Sequence, residues 1–127
     1  MQTRKPVSFV AAQQPEAATV FYRDILGLDL VETSPFALVF KDGENTLRVQ
    51  IVADLVPTAH TVHGWEVIDV LEDIRNLISK DVEFLTFGQM DQDALGIWTT
   101  PDGNKIAWFK DPCGNTLSLT EFTAKPA

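Results

Sequence analysis

A short phrase occurs twice in this chain, and it restricts the fold more than any other feature. Phe40-Lys41-Asp42-Gly43-Glu44-Asn45-Thr46-Leu47-Arg48-Val49 returns as Phe109-Lys110-Asp111-Pro112-Cys113-Gly114-Asn115-Thr116-Leu117-Ser118-Leu119. The offset is 69 residues at Phe-Lys-Asp and 70 at Asn-Thr-Leu, so the second turn has gained one residue. Each copy reads as strand, glycine-containing turn, strand. Turn chemistry favours Asp, Gly and Asn in any hairpin, but identity on both flanks of the turn favours a true internal repeat.

The segments upstream of the two phrases agree. Val7 to Ala12 is a short apolar strand, and Pro15 opens a helix at a position that tolerates a missing N–H. Ala18, Phe21, Tyr22 and Ile25 form one buried stripe at i, i+3, i+4, i+7, and Gly27 closes the helix. In the second half Val62 to Ile68 is the strand. Asp69 is the expected N-cap, with Glu72 completing a capping-box-like pair. Val70, Leu71, Ile74, Leu77 and Ile78 make the second helix's apolar face. Strands are then expected near Glu83–Phe87, Gly96–Thr100, Ile106–Phe109 and Thr116–Phe122. Ala53 to Thr61, with Pro57 and no periodicity, is the link. The expectation is an α+β fold of two βαβββ modules, about residues 6–52 and 62–122, in a single domain over 1–127. A chain of 127 residues is long enough to bury an ordinary core without staples.

Two further motifs carry a resemblance. Phe21-Tyr22-Arg23-Asp24-Ile25-Leu26-Gly27-Leu28 resembles the helix-ending signature of the vicinal-oxygen-chelate superfamily of glyoxalases, bleomycin-resistance proteins and extradiol dioxygenases. Asp111-Pro112-Cys113-Gly114-Asn115 resembles its late Asp-Pro-Asp-Gly-Asn turn, with Cys113 in place of the second Asp. The Gly64-Trp65-Glu66-Val67 strand extends the resemblance over nearly the whole chain. It implies modules curling into an open barrel, helices on the outer face, and a concave face lining a cavity. It also implies a homodimer. The superfamily includes lyases, epimerases, dioxygenases, thiol transferases and drug-sequestering proteins, so the fold does not fix the activity.

The resemblance further implies a divalent metal held by His, Gln or Glu side chains from the first and last strands of each module. Such a site needs three or four N/O donors converging on an ion with open positions. Here the first-strand position, fifteen residues before Tyr22, is Val7. Its second-module counterpart is Val62, with His63 one step away. The last-strand positions are Ser118 and, by the repeat, Arg48, with Gln50 two residues on. Strand parity sharpens the test, because a one-residue slip turns a side chain to the other face. If Ser118 faces the cavity so does Thr120, while Glu121 faces away. If Val62 faces inward, His63 faces the helices and Glu66 returns to the cavity side. A cationic Arg48 in the ligand ring would repel an ion. The expectation is therefore no metal and no cofactor. His60 and His63 read as part-exposed linker residues rather than a ligand pair.

The same parity leaves Phe9, Arg48, Gln50, Glu66, Ser118 and Thr120 on the cavity face, a composition suited to a small polar or amphipathic ligand. Arg48 could clamp a carboxylate or phosphate, or pair with Glu66, or reach solvent. Glu66 is a candidate general base provided that it is buried with a raised pKa. No catalytic residue is assigned. A two-residue loop at Asp102-Gly103 would put Trp98 across from Ala107 and Ile97 across from Trp108. The two tryptophans would then take opposite sheet faces, one lining the cavity, with Trp108 carried as the lining candidate and Trp65 in the core. Cys113 lacks a neighbour to lower its pKa and is not expected to be a catalytic thiol.

Composition closes off other partners. The formal charge is −8 with ten scattered basic residues, so no positive stripe offers itself to nucleic acid or anionic membrane. No apolar run is long enough for a bilayer span. Met1 to Pro6 is followed by no leader-like apolar region, and a lone cysteine forms no internal disulfide, so the default address is the cytoplasm. The favoured reading is metal-independent binding of a small molecule, similar to bleomycin-resistance proteins. The alternatives are a lyase, isomerase or dioxygenase with a non-standard metal site, or a non-catalytic interaction domain.

Overall fold

A computed structural model describes residues 4–123. Met1–Thr3, where the segment read for a leader begins, lie outside them. The chain divides into two compact units: the residues up to Thr58 together with Asp111–Asn115, and the remainder.

The first unit runs β1 (Val7–Ala12), α1 (Pro15–Thr19), β2 (Asp29–Thr33), β3 (Ala37–Asp42) and β4 (Asn45–Ile51). The sheet order is β1-β4-β3-β2, with β1 parallel to β4 and the other pairs antiparallel. Alternation sorts the faces. Val10, Val49 and Leu38 form one row across three strands, and with Phe40 and Leu47 they are buried against Ala18, Phe21 and Tyr22. Tyr22 meets Phe21 edge-on at 5.2 Å and Phe40 at 5.7 Å between ring centroids.

The first helix departs from its expected regularity. After Thr19 it continues as a π-helical segment, Val20–Ile25, closed by Leu26 N–H donating to Phe21 O at 2.9 Å. The wider turn rotates later residues off the stripe, so Ile25 is half-buried where Ala18, Phe21 and Tyr22 are fully covered. Gly27, at φ 81°, makes the left-handed exit.

The second unit runs β5 (Thr61–Glu66), α2 (Val70–Ser79), β6 (Trp98–Thr99), β7 (Lys105–Lys110) and β8 (Thr116–Glu121). Its order is β5-β8-β7-β6, the same topology. The hairpins β3–β4 and β7–β8 hold equivalent places, with Phe40 opposite Leu47 as Phe109 is opposite Leu117. Asp69 caps α2 by accepting from Glu72 N–H at 3.1 Å. Glu121, on the helix side of β8, accepts from Val70 N–H at 2.9 Å. Val70, Ile74 and Leu77 are buried, and Leu71 and Ile78 flank them in solvent.

Two expectations for this unit need correction. The strand near Glu83–Phe87 shrinks to one bridge, Phe84 to Phe109, with Leu85 N–H donating to Trp108 O at 2.8 Å. Phe84–Leu85 and β6 therefore share the edge beside β7. Between them the chain leaves the ladder, and the Gln92 side chain satisfies the backbone there. Its Oε1 accepts from Phe87 N–H, and its Nε2 donates to Leu85 O and Gly96 O. The β6–β7 register also differs by one residue: Trp98 lies opposite Ile106 and Thr99 opposite Lys105. The loop holds three residues, Pro101-Asp102-Gly103. Thr100 N–H donates to Asn104 O at 2.8 Å, and Gly103 sits at φ 90°, the left-handed position of a three-residue hairpin. Among the described residues no helix is long and apolar enough to cross a membrane.

Candidate functional site

In each sheet one face packs against its helix, and the sequence-selected residues fall on the other, here called the open face, where Phe9, Gln50 and Glu66 are exposed, Arg48 and Thr120 half-buried and Ser118 buried. On the first sheet Phe9 lies directly opposite Arg48, and Ala11 opposite Gln50. Phe9 is 52% exposed, Arg48 half-buried and Gln50 exposed. Val39 adjoins Arg48 on β3, and Glu32 lies beyond it on β2. Two residues along, Lys41 Nζ donates to Thr46 Oγ1 at 2.8 Å. Within its own unit the Arg48 guanidinium has no hydrogen-bond or ion-pair partner among the described residues.

On the second sheet Glu66 is opposite Thr120, and Ser118 lies between Gly64 on β5 and Trp108 on β7. Gly64 leaves room there for Ser118: a Cβ would run into the rotatable Ser118 Oγ and come within 3.1 Å of Ser118 O. The Ser118 hydroxyl thus leans over the vacant side-chain position of β5. His63 and Trp65 take the helix face, edge to face at 4.6 Å. Val62 is skipped in the pairing, which passes from Thr61–Thr116 to His63–Leu117 through a bulge. Glu66 is exposed, so the burial that a general base would need is missing.

The register shift corrects the placement of the tryptophans. With Trp98 opposite Ile106, Trp98 and Trp108 share the open face instead of dividing between the two. Their rings lie 6.3 Å apart at 32°. Phe87 meets Trp108 edge-on at 5.4 Å, and the Trp108 Nε1–H donates to Thr61 Oγ1 at 3.0 Å.

Both signature motifs meet in a buried cluster of the first unit that sequence reasoning did not assign. Tyr22 donates its hydroxyl proton to Asp111 Oδ2 at 2.6 Å. Asp111 Oδ1 accepts from Cys113 N–H and Asn115 N–H. Asn115 Nδ2 donates to Asp111 Oδ2 and to Ala11 O on β1, each at 2.7 Å. Burial, and then the neighbouring Asp111 carboxylate, push the Tyr22 pKa far above its ordinary value, so the phenol stays protonated and donates. The signal was present in the two motifs themselves, a tyrosine on an apolar stripe and an aspartate opening a turn.

The donor set does not suit a divalent ion. Val7 and Val62 have no lone pair to give, Ser118 is a neutral hydroxyl and Arg48 a cation. Among the described residues no three His, Cys, Asp or Glu side chains gather where they could hold a metal. A separate cleft of about 550 Å³ lies in the second unit by the start of α2, lined by Asp69, Val70, Asp93, Ile97, Lys105 and Glu121 among others. It shares no residue with the open face. Its carboxylates are occupied as caps, Asp93 accepting from Leu95 and Ile97 N–H.

Paired β-α-β-β-β modules, each with its first strand parallel to its last, make this a repeat-built α+β protein. The model of the glyoxalase/bleomycin resistance protein/dioxygenase superfamily matches residues 7–119, and the chain belongs to that superfamily. Among solved structures it is similar to a protein described as of the glyoxalase family from Bacillus anthracis, at 20% identity and TM-score 0.73 over 95% of this chain and 96% of that one. It is similar to a lactoylglutathione lyase from Agrobacterium tumefaciens, at 20% identity and TM-score 0.72 over 95% and 94%. A glyoxalase/bleomycin resistance protein/dioxygenase from Alicyclobacillus acidocaldarius gives 14% identity and TM-score 0.72 over 98% and 96%. At these identities the likeness shows the fold alone. No curated protein is a significant match to this chain.

Proposed function

We propose that this superfamily member binds a small polar or amphipathic ligand on its open sheet faces without a metal ion, in the manner of a bleomycin-resistance protein. Arg48 anchors the ligand's anionic or polar group. The observation that carries the reading is Arg48 itself. It stands where the family resemblance puts a metal donor, half-buried, with exposed Phe9 directly opposite and no partner in its unit. A guanidinium on one sheet face with an exposed aromatic ring and, two residues on, an amide suits a carboxylate or sulfonate on an apolar body. On that sheet Phe9 and Gln50 are the further candidate contacts, and on the second sheet the candidates are Glu66, Trp108, Ser118 and Thr120. The proposal includes a cytoplasmic homodimer.

Titration with Ni²⁺, Zn²⁺, Mn²⁺ or Fe²⁺ is expected to give no stoichiometric binding by calorimetry. The anionic amphiphile 8-anilinonaphthalene-1-sulfonate is expected to bind, and Arg48→Ala to weaken it about tenfold or more, the scale of one lost charge-assisted hydrogen bond at ~1.5–3 kcal/mol. A tightly held ion with Glu66 or His63 among its ligands would replace this reading with a lyase, isomerase or dioxygenase. Unchanged dye affinity in Arg48→Ala would remove the anchor.

A further inference from the structure

We infer that the open face of the second sheet is a stacking shelf for a planar fused-ring aromatic group. This rests on the small-molecule reading above and names the ligand class for this sheet. Three aromatic side chains, Trp98, Trp108 and Phe87, gather on the face turned away from α2 and remain in part open to solvent. A core would place such rings on the helix side, where Trp65 lies against His63. The Trp108 indole is held in place twice, by Thr61 Oγ1 at its N–H and by the edge of Phe87 against its ring. An oriented ring presents its π surface at little further entropy cost on binding, and aromatic pairs favour offset or edge-on contact with a flat partner.

The floor beside the rings is shallow and polar. Ser118, itself buried, adjoins Trp108, and next to it the exposed Gly64 supplies no side chain. The row from Trp98 continues through Ile106 and Thr120 to the exposed Glu66. From β7 to β5 is two strand spacings, about 10 Å, enough for the long axis of two or three fused rings lying across Ser118 and Gly64. Hydroxyls and one carboxylate along that path select substituents that donate hydrogen bonds, such as a ring amine. Lys110 stands at the opposite corner, beyond Trp108 and opposite Thr116.

The test titrates the full chain with 9-aminoacridine, a flat tricyclic amine, and with cyclohexylamine as the non-planar control, following binding by calorimetry and tryptophan emission. We expect saturable binding of 9-aminoacridine with quenched emission, and none of the control. Trp98→Leu, on the short edge strand, is expected to weaken binding at least tenfold. Trp108→Phe, which loses the Thr61 hydrogen bond, is expected to weaken it three- to tenfold. Glu66→Gln should weaken it severalfold. Far-ultraviolet dichroism checks the fold, and if Trp98→Leu does not fold, Trp108→Phe decides. No binding of 9-aminoacridine, equal binding of cyclohexylamine, or unchanged affinity in Trp108→Phe overturns the shelf. Loss of the sulfonate dye in Arg48→Ala alongside any of these results leaves the anion reading standing and removes only this inference.

Discussion

The Tyr22 hydroxyl and the Asp111 carboxylate are both buried, and each is the other's shortest hydrogen bond. Replacing the tyrosine by phenylalanine keeps the ring against Phe21 and Phe40 but takes one donor from a carboxylate that cannot reach water. Tyr22→Phe is expected to cost about 1–3 kcal/mol, read as a lower denaturant midpoint with an unchanged slope. Gly64→Ala should also destabilise, since its Cβ meets Ser118 Oγ; adding Ser118→Ala should recover part of the loss, leaving the 3.1 Å approach to Ser118 O. At this scale the sequence told which sheet face a side chain takes wherever strand parity ran unbroken, as at Phe9, Arg48, Ser118 and Glu121. It failed at the tryptophans, because one miscounted loop residue turned Trp98 to the wrong face.

Among elements, the ends of α2 show how much depends on single residues. The helix closes with Val82 N–H donating to Leu77 O and Asp81 N–H to Ile78 O, the double bond of a Schellman ending. The residue in its left-handed position is Asp81, at φ 66°, where glycine is the usual occupant. Asp81→Gly removes a Cβ penalty of about 1–2 kcal/mol and adds chain entropy to the unfolded state of about 0.5–1 kcal/mol. The net expectation is a gain of up to about 1 kcal/mol, visible as a higher thermal midpoint. The loop before β7 carried a legible clue that was missed. Thr100-Pro101-Asp102-Gly103-Asn104 and Asp111-Pro112-Cys113-Gly114-Asn115 share Pro-x-Gly-Asn, and they fold alike. Gly103 and Gly114 both sit at φ 90°, and Thr100 Oγ1 and Asp111 Oδ1 each accept from the asparagine N–H four residues on. The Gln92 hub was not legible, because its three bonds depend on the path of the loop that it holds together.

For the whole molecule, the repeated phrase was enough to foresee two sheets of one topology, since like strings on both flanks of a turn point to like places. Assembly is a separate matter. β2 is an edge strand with Val31 55% exposed, and such edges are commonly covered. The proposed homodimer predicts a species near twice 14.1 kDa in sedimentation at micromolar concentration; a monomer alone would refute it. The two halves are nevertheless not two independent products of the chain. Asp111–Asn115, the tip of the last hairpin, is counted with the first unit, and its aspartate serves a tyrosine 89 residues earlier. On the ribosome, Tyr22 emerges before its acceptor, so this hydrogen bond forms only after the hairpin of β7 and β8 is made. Loop closure over that distance is slow relative to local contacts, which makes the turn between β7 and β8 the step that completes the first unit.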